Sequence, residues 1–355
     1  MSGQDLYGLR PDEAEAILVS LGGEPYRAVQ LLQGMYRDGA SCVDDVQILP
    51  ARLRAALIGA GWDFTPPAVV RSVASGDGST TKSLLRFGEG TLVETVLMQY
   101  EARAGRARNT VCVSTQAGCA MGCTFCATGQ MGFERNLLAA EIVQQVTHFA
   151  RLLAARGDHI TNLVFMGMGE PLANYAGTLQ AVRILSDPRA FGLGQRHITI
   201  STVGIVRAIE RLASEGLQVN LAISLHAPND ELRRRLVLTA SPTSVHDLVA
   251  AAQRYFRATG RRVTYEYALI AGINDGPDVA EQLGRLLGPS RAHLNLIPLN
   301  PTAGPFQRPS TSSVRAFRRV LLEAGVNCTV RIEKGAEISA ACGQLRTTEP
   351  IVAGR

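Results

Sequence analysis

The sequence predicts an α/β protein, a partial (β/α)6 barrel preceded by a small helical domain and a short β-meander. After residue 110, six apolar or β-branched runs alternate with helical patterns, the order expected of parallel βα units. Polar and glycine residues follow several of these runs, where a barrel carries its active site. The 355 residues are enough for a barrel of about 250 residues and a small extra domain.

Residues 1–62 are predicted to form the helical domain. Pro11 stands at the start of a first helix, and Gly22 marks its end. The apolar positions around Leu31 indicate a second helix, and Pro50 opens a third.

Residues 63–109 are predicted to form the β-meander and a basic loop. Glycine-rich turns separate strand patterns at 69–73, 83–87 and 92–97. The segment 99–109 is rich in arginine and small residues, and we expect a mobile loop there.

Residues 110–335 are predicted to form the barrel, and residues 336–355 a C-terminal segment that contains Cys342. The predicted barrel strands are 110–113, 162–165, 197–200, 219–223, 263–267 and 293–297, with a final strand at 328–332.

Unusual residues follow four of the predicted strands, at the barrel edge where ligands bind. They are Gly167, Gly169, Glu170, Ser201, Ser224, His226 and Asn300. The two glycines do not form a dinucleotide fingerprint, because the third glycine is missing and Pro171 follows. We expect their backbone to approach a ligand closely. The carboxylate can accept from an ammonium group, and the other polar side chains can bind hydroxyls, carboxylate or adenine, although each singly is also typical of a turn.

Three cysteines stand in eight residues, with C-x3-C-x2-C spacing, at Cys119, Cys123 and Cys126. A closed zinc site needs a fourth ligand, which this stretch lacks. A [4Fe–4S] cluster held by three cysteines keeps one iron open for a small molecule. The alternatives are three structural cysteines or a zinc knuckle completed by a distant residue such as His148.

The composition, 46% hydrophobic and 19% charged, is typical of a soluble globular protein. No apolar run approaches the roughly 18 residues of a membrane span, and no secretory signal is recognised. Seven cysteines in such a chain favour reduced thiols or metal binding, and a cytoplasmic location. The net charge of +5 is compatible with a nucleic-acid partner without requiring one.

Several stretches together resemble the RlmN/Cfr family of radical S-adenosylmethionine (SAM) RNA methyltransferases. They are 112–119, the three-cysteine motif with 127–129, 165–171, 223–230 and 341–345. The similarity covers nearly the whole chain, so it implies that the helical N-terminal domain is an RNA-binding accessory. It also implies methylation of an adenosine in 23S rRNA, with tRNA as a further substrate.

The resemblance implies both cofactors and their ligands. Cys119, Cys123 and Cys126 would hold one [4Fe–4S] cluster. The SAM site would be formed by Gly169, Glu170, Ser201, Ser224, Leu225, His226 and Asn300. A monomer supplied with electrons by flavodoxin or ferredoxin is expected.

The resemblance further implies a mechanism that uses two SAM molecules per turnover. Cys342 takes a methyl group from the first SAM, and a deoxyadenosyl radical from the second removes a hydrogen from that methyl. The carbon adds to C2 of adenine, Glu94 removes the ring proton, and Cys112 attacks Cys342 to release the product with a transient disulfide. Without the resemblance, both cysteines would be taken as buried small hydrophobes, as Cys42 and Cys328 are.

Several alternatives stay open at this point. The carbon could be C8, as in Cfr. A radical-SAM enzyme of a small metabolite would need no Cys112–Cys342 pair, and an iron–sulfur or zinc RNA-binding protein would never cleave SAM. The basic runs 233–235, 261–262 and 318–319 are either phosphate contacts or solvated helix faces.

Overall fold

The computed structural model describes residues 4–88, 90–103, 106–240, 243–288, 290, 293–302, 304–331 and 334–347. Residue 332 of the predicted final strand and residues 348–355 of the predicted C-terminal segment lie outside these ranges. Within the ranges, no helix combines the length and apolar character needed to cross a membrane.

The N-terminal residues form three helices tied by a short parallel strand pair. These elements are β1 (Gln4–Asp5), α1 (Pro11–Ser20), α2 (Arg27–Tyr36), α3 (Ala51–Gly59) and β2 (Trp62–Asp63). Pro11 is the first helical residue of α1, as predicted, where its missing N–H costs nothing. The buried faces of these helices, including Leu31 and Leu57, belong to the same apolar core as the barrel.

Four antiparallel strands follow, and they form one end of the main sheet. They are β3 (Ala68–Ala74), β4 (Thr80–Phe87), β5 (Thr91–Arg103) and β6 (Arg106–Cys112). The meander is therefore continuous with the barrel sheet, because β6 pairs with the next barrel strand.

The prediction of a mobile loop at 99–109 is wrong for the residues that the structure describes. Gln99 pairs with Asn109 and Tyr100 with Arg108, so β5 and β6 extend through most of this segment. The arginine content suggested a loop, but Arg108 stacks across the strand pair on the Tyr100 ring, and such pairs stabilise a sheet. Residues 104 and 105 lie outside the described ranges.

The rest of the chain alternates strands and helices. These elements are β7 (Gln116–Gly118), α4 (Ala127–Gln130), β8 (Phe133–Asn136), α5 (Ala139–Ala154), β9 (Asn162–Phe165), α6 (Tyr175–Ser186), β10 (Ile198–Thr202), α7 (Val206–Ala213), β11 (Asn220–Ser224), α8 (Asp230–Leu236), α9 (Val245–Thr259), β12 (Val263–Leu269), α10 (Pro277–Leu287), β13 (His293–Pro298), α11 (Thr311–Glu323) and β14 (Asn327–Val330).

The main sheet runs in the order β14-β13-β12-β11-β10-β9-β6-β5-β4-β3, and every pair from β6 to β14 is parallel. Its two end strands are not joined to each other in the part of the chain that the structure describes, so the barrel is partial. This confirms the predicted fold class, including a final strand after the six barrel strands. The carboxyl ends of the parallel strands meet at one edge, where ligands bind in such sheets.

Helix α5 joins the barrel to the N-terminal helices. Its predicted apolar face, Ile142, Val146, Phe149 and Leu153, is fully or almost fully buried. From the same helix, Gln144 Nε2 donates to Asp5 Oδ2 at 2.8 Å. These contacts fix the N-terminal unit against the outside of the barrel.

Candidate active site

The three motif cysteines lie between β7 and α4 and line one cavity at the carboxyl ends of the strands. The backbone N–H of Cys119 donates to the Gly132 oxygen at 2.7 Å, which closes the loop that carries them. This approach requires glycine at 118, because its φ is +70° and a Cβ there would lie 2.0 Å from the same oxygen. The local sequence thus brings all three thiols to one surface.

The donor set suits a polynuclear cluster. Burial, and then the neighbouring thiols, raise the pKa of Cys119 to about 11, and that of Cys123 is raised further. A bound metal cluster offsets such a shift, because it stabilises thiolates. Among the described residues, no three His, Cys, Asp or Glu side chains converge on a single metal ion. Three thiols that surround a common space without meeting at one point fit a cluster in which each binds a different iron.

His148 does not complete a zinc site. It lies on α5, where its Nε2 is 3.0 Å from Ser83 Oγ, and it is not among the residues that line the cysteine cavity. The alternative of a zinc knuckle closed by this residue is therefore wrong.

The glycines after β9 serve close packing. A Cβ at Gly167 would lie 2.6 Å from Ser114 Oγ, and one at Gly169 would lie 2.5 Å from Gln116 Cβ. Gly169 also has a φ of +97°. Both residues line the cavity. The segment after β6 therefore requires glycine at both positions, and the expected approach of a ligand to this backbone stays a prediction.

Glu170 is buried in the wall of the same cavity. Its Oε1 accepts from the Leu172 N–H at 2.9 Å, and its Oε2 accepts from the Val203 N–H at 2.8 Å. Burial nevertheless raises the pKa of this carboxyl to about 7. A cationic ligand group would offset that desolvation, so the site favours an ammonium.

His226 is held in a left-handed backbone conformation, with a φ of +59°. Its Nδ1 accepts from the Ala268 N–H at 3.0 Å, so the ring proton is assigned to Nε2. Burial lowers the pKa of His226 to about 3, which keeps the ring neutral. Phe125, from the cysteine loop, contacts the ring edge-on with centroids 4.9 Å apart. The ring can therefore donate one hydrogen bond into the cavity that it lines.

Ser201 and Ser224, at the ends of β10 and β11, also line the cavity, as predicted. Leu225 does not line this cavity. Its side chain is fully buried, and its backbone N–H donates to the backbone oxygen of Glu266 at 3.0 Å.

Asn300 connects the cavity to the C-terminal segment. Its Nδ2 donates to the Cys342 carbonyl oxygen at 3.1 Å. Its Oδ1 is buried without a hydrogen-bond partner in the described structure. A buried acceptor of this kind usually has a partner, so this atom indicates a ligand donor.

Sequence reasoning missed Glu266. This residue lies on β12, only 5% exposed, and its Oε1 accepts from Asn295 Nδ2 at 2.8 Å. Its Oε2 has no hydrogen bond, is 3.6 Å from an Arg331 nitrogen, and the side chain lines the cysteine cavity. Burial raises the pKa of this carboxyl. The signal was present, because an acidic residue interrupts the apolar run 263–267.

Cys342 lines the cysteine cavity and also a second, adjoining cavity. Its segment is attached directly to the cysteine loop. The Ala127 N–H donates to the Gly343 oxygen at 2.8 Å, and Thr128 Oγ1 donates to the Leu345 oxygen at 2.6 Å. These bonds place the Cys342 thiol at the wall between the two cavities.

Cys112, the last residue of β6, lines the second cavity with Cys342. Desolvation raises the pKa of Cys112 to about 12 and that of Cys342 to about 11, although the latter thiol is accessible from both cavities. Both cysteines are free thiols. The structure thus brings together two residues that are far apart in sequence.

Glu94 does not line either cavity. It lies on β5, where its Oε1 is 2.8 Å from Lys82 Nζ and its Oε2 accepts from the Arg346 N–H at 2.8 Å. The structure therefore places this carboxylate beside the C-terminal segment rather than in the space shared by the two cysteines.

Arg233, the first residue of the basic run 233–235, is neither a phosphate contact nor part of a solvated helix face. Arg233 is 1% exposed, and its guanidinium donates to the backbone oxygens of Leu225 and Val203. It joins the loops after β10 and β11, so it cannot reach RNA phosphates in this arrangement. Cys42 and Cys328 line neither cavity.

Comparison with known proteins agrees with this geometry. Residues 113–283 match the Radical SAM superfamily. The sequence is 57% identical over 345 residues to "Ribosomal RNA large subunit methyltransferase N" of Nitrosopumilus maritimus, covering 97% of this chain and 98% of that protein. The chain belongs to the RlmN family of radical-SAM methyltransferases.

Other relatives match over similar lengths. "Probable dual-specificity RNA methyltransferase RlmN" of Moorella thermoacetica is 46% identical over 96% of this chain and 97% of its own. The crystal structure of a radical SAM methyltransferase from Sphaerobacter thermophilus is 48% identical, covers 97% of this chain and 99% of its own, and superposes with a TM-score of 0.91. As a member of this family, the protein uses a [4Fe–4S] cluster and SAM.

Proposed function

We propose that this protein methylates C2 of an adenosine in 23S rRNA, through a methyl group carried on Cys342. One observation supports this more than any other. Cys342 stands between the cavity of the three cysteines and a second cavity that also contains Cys112. A methyl carrier needs access to SAM on one side and to its substrate on the other. The names of the RlmN relatives support an RNA substrate.

Cys119, Cys123 and Cys126 are the proposed cluster ligands. When bound, the [4Fe–4S] cluster supplies the electron that cleaves SAM homolytically. The walls of that space are formed at the carboxyl ends of β9, β10 and β11, by residues that include Glu170, Ser201 and Ser224.

The SAM site is proposed at Gly169, Glu170, Ser201, Ser224, Leu225, His226 and Asn300. Glu170 would accept from the ammonium of SAM, whose charge offsets the desolvation of this carboxylate. His226 would donate from Nε2, and Asn300 would accept through its unpartnered Oδ1. Leu225 would act through its backbone, because the hydrogen bond from its N–H to the backbone oxygen of Glu266 fixes the turn between Ser224 and His226.

The two catalytic cysteines have different roles in the proposal. Cys342 accepts a methyl group as a thiolate, loses one hydrogen atom from that methyl to the deoxyadenosyl radical, and holds the remaining carbon through a C–S bond after this carbon adds to the base. The unpaired electron that the addition leaves on the base would return to the cluster held by Cys119, Cys123 and Cys126 when the ring proton leaves. Cys112 then attacks the sulfur of Cys342, so that an S–S bond forms and the C–S bond breaks. The electron pair of that bond stays on carbon, which takes a proton and becomes the methyl group.

Glu94 is proposed to remove the proton from the ring carbon. In the structure its Oε2 is occupied by the Arg346 N–H, which belongs to the segment that carries Cys342. The proposal therefore requires this hydrogen bond to open when RNA enters the second cavity. Lys82 would keep the carboxylate oriented meanwhile.

Further parts of the proposal rest on family membership. The relative from Moorella is named a probable dual-specificity RNA methyltransferase, which supports a second RNA substrate, and we propose tRNA for it. We assign the N-terminal helical unit, 1–62, an accessory role in RNA binding. The protein would act as a cytoplasmic monomer that receives electrons from flavodoxin or ferredoxin.

The test combines two measurements. The anaerobically reconstituted protein is assayed for 5′-deoxyadenosine with 23S rRNA from a strain that lacks the gene, and the RNA nucleosides are analysed by mass spectrometry. We expect 5′-deoxyadenosine and 2-methyladenosine. Formation of 8-methyladenosine would show the Cfr-type reaction, and 5′-deoxyadenosine without RNA methylation would indicate a metabolite substrate. Absence of 5′-deoxyadenosine would leave a binding protein that is not an enzyme.

A further inference from the structure

Three cations and, among the described residues, no carboxylate line the second cavity. The cations are Arg108, Arg331 and Lys334. The charge of Arg331 is partly neutralised by Glu266, 3.6 Å away in the adjoining cavity. A cavity of one charge sign attracts ligands of the other sign, and RNA contributes one negative charge per phosphate.

Two of these cations meet at one aromatic ring. The guanidinium carbon of Arg108 lies 4.0 Å from the centroid of the Tyr100 ring, directly across the β5–β6 pair. Lys334 Nζ lies 5.0 Å from the same centroid. The side chain of Arg108 is exposed, and within the described structure it forms no ion pair with a carboxylate. The ring thus holds an unneutralised guanidinium in a fixed place.

Lys334 is oriented by the neighbouring strands. Its Nζ donates to Ser79 Oγ at 2.8 Å and to the Gln99 oxygen at 3.0 Å. An ammonium has three donors, so one N–H is left. Two cations on one ring repel each other, and an anion between them would remove that repulsion.

The cavity also contains a buried polar atom without a partner. Thr110 Oγ1 lacks a hydrogen bond in the described structure, and its residue is 6% exposed and lines this cavity. Buried polar atoms usually have partners, so this hydroxyl indicates a ligand with a hydrogen-bonding group.

We propose that Tyr100, Arg108 and Lys334 bind the phosphodiester next to the target nucleotide of an unpaired RNA strand. The phosphate lies between the two cations, and the Tyr100 ring keeps the guanidinium of Arg108 in position. The strand is unpaired because a base must leave the stack to reach a thiol inside a cavity. This inference rests on the proposed function and deepens it, since it assigns the RNA contact to particular residues.

The test is the salt dependence of RNA binding. The full-length, anaerobically reconstituted protein is titrated with a fluorescent stem–loop RNA that carries adenosine in its loop, over a series of KCl concentrations. Removing one phosphate contact to a single strand reduces the slope of log K against log [KCl] by about 0.7. We expect this reduction for Arg108→Gln. Arg257→Gln, which removes an exposed arginine from α9, is the matched control and should keep the wild-type slope.

Tyr100→Leu tests the contribution of the aromatic ring separately from that of the two cations. It keeps both cations, so the slope should stay at the wild-type value while affinity falls about two- to five-fold, the range expected for an exposed cation–π contact. In the Arg108→Gln background the same change should have little further effect. The inference would be overturned if Arg108→Gln kept the wild-type slope. It would also be overturned if Tyr100→Leu reduced the affinity equally in the wild type and in Arg108→Gln. If the wild-type protein methylates RNA in that case, the proposed function stands without this phosphate site.

Discussion

Lys82 and Glu94 form a buried ion pair that holds the C-terminal segment on both sides of Cys342. Lys82 Nζ lies 2.8 Å from Glu94 Oε1, and the two side chains are 9% and 2% exposed. The same Nζ donates to the Ser339 oxygen at 3.1 Å, and Glu94 Oε2 accepts from the Arg346 N–H at 2.8 Å. The proposed base is therefore linked structurally to the segment that carries the proposed methyl carrier.

Lys82→Met should destabilise the protein strongly. It leaves the Glu94 carboxylate buried without its cation, and breaking a buried pair in this way costs about 3–5 kcal/mol. Urea unfolding of the full chain measures the effect. The double variant Lys82→Met/Glu94→Gln removes both charges and should recover much of the loss. A single variant as stable as the wild type would show that the pair does not hold the segment.

Replacing any one of Cys119, Cys123 or Cys126 by Ala should abolish the brown absorbance of the reconstituted cluster and the cleavage of SAM. Two thiolates cannot hold a cluster that is ligated at three irons. Cys42→Ala is the matched control, since Cys42 does not line the cavity. Iron content and visible absorbance, measured after anaerobic reconstitution, check this. Full cluster loading in all three variants would contradict the assignment of the ligands.

His148 should contribute to acid sensitivity. Burial lowers the pKa of His148 from 6.5 to about 4. The unfolded chain therefore binds this proton at higher pH than the folded chain, and stability is lost as pH falls from 6.5 to 4. His148→Gln stays neutral and can still bond Ser83, so it lacks this loss. The unfolding free energy of the wild type minus that of the variant should decrease as the pH falls from 6.5 to 4. A difference that is independent of pH would contradict the shift.

The fold and the cysteine loop were predictable because their signals are local. Parallel strands have short apolar runs, and the C-x3-C-x2-C spacing puts three thiols on one loop whatever the surroundings. The residues after successive parallel strands also meet by necessity, which is why Glu170, Ser201 and Ser224 line one cavity.

The predictions that failed concern residues whose partners become visible only in the folded chain. Arg233 lies in a basic run, and only the folded loops show that it is buried beneath the backbone oxygens of Val203 and Leu225. Likewise, the pairing of Tyr100 with Arg108 converts an expected loop into strands. A charge pattern in the sequence shows which residues could contact solvent or a ligand. Whether such a residue is buried depends on the residues that pack against it in the fold.

The sharpest prediction concerns Cys112 and follows from the order of the proposed steps. Methyl transfer to Cys342, SAM cleavage and addition to the base all precede the step that needs a second sulfur. Cys112→Ala should therefore complete these steps and fail only at release. The variant should be isolated with RNA joined to Cys342 through a single carbon, visible as a shifted band on denaturing gels and as a modified peptide in mass spectrometry.

Cys342→Ala is the matched control, because it has no methyl carrier and should accumulate no adduct with the same RNA. Both cysteines line the same cavity, so the two substitutions remove the same atom from neighbouring places. A difference between them then reflects the order of the chemistry rather than a general loss of packing. If Cys112→Ala turns over normally without trapped RNA, the two-cysteine route does not operate here, and a metabolite substrate becomes the better explanation of the cavity.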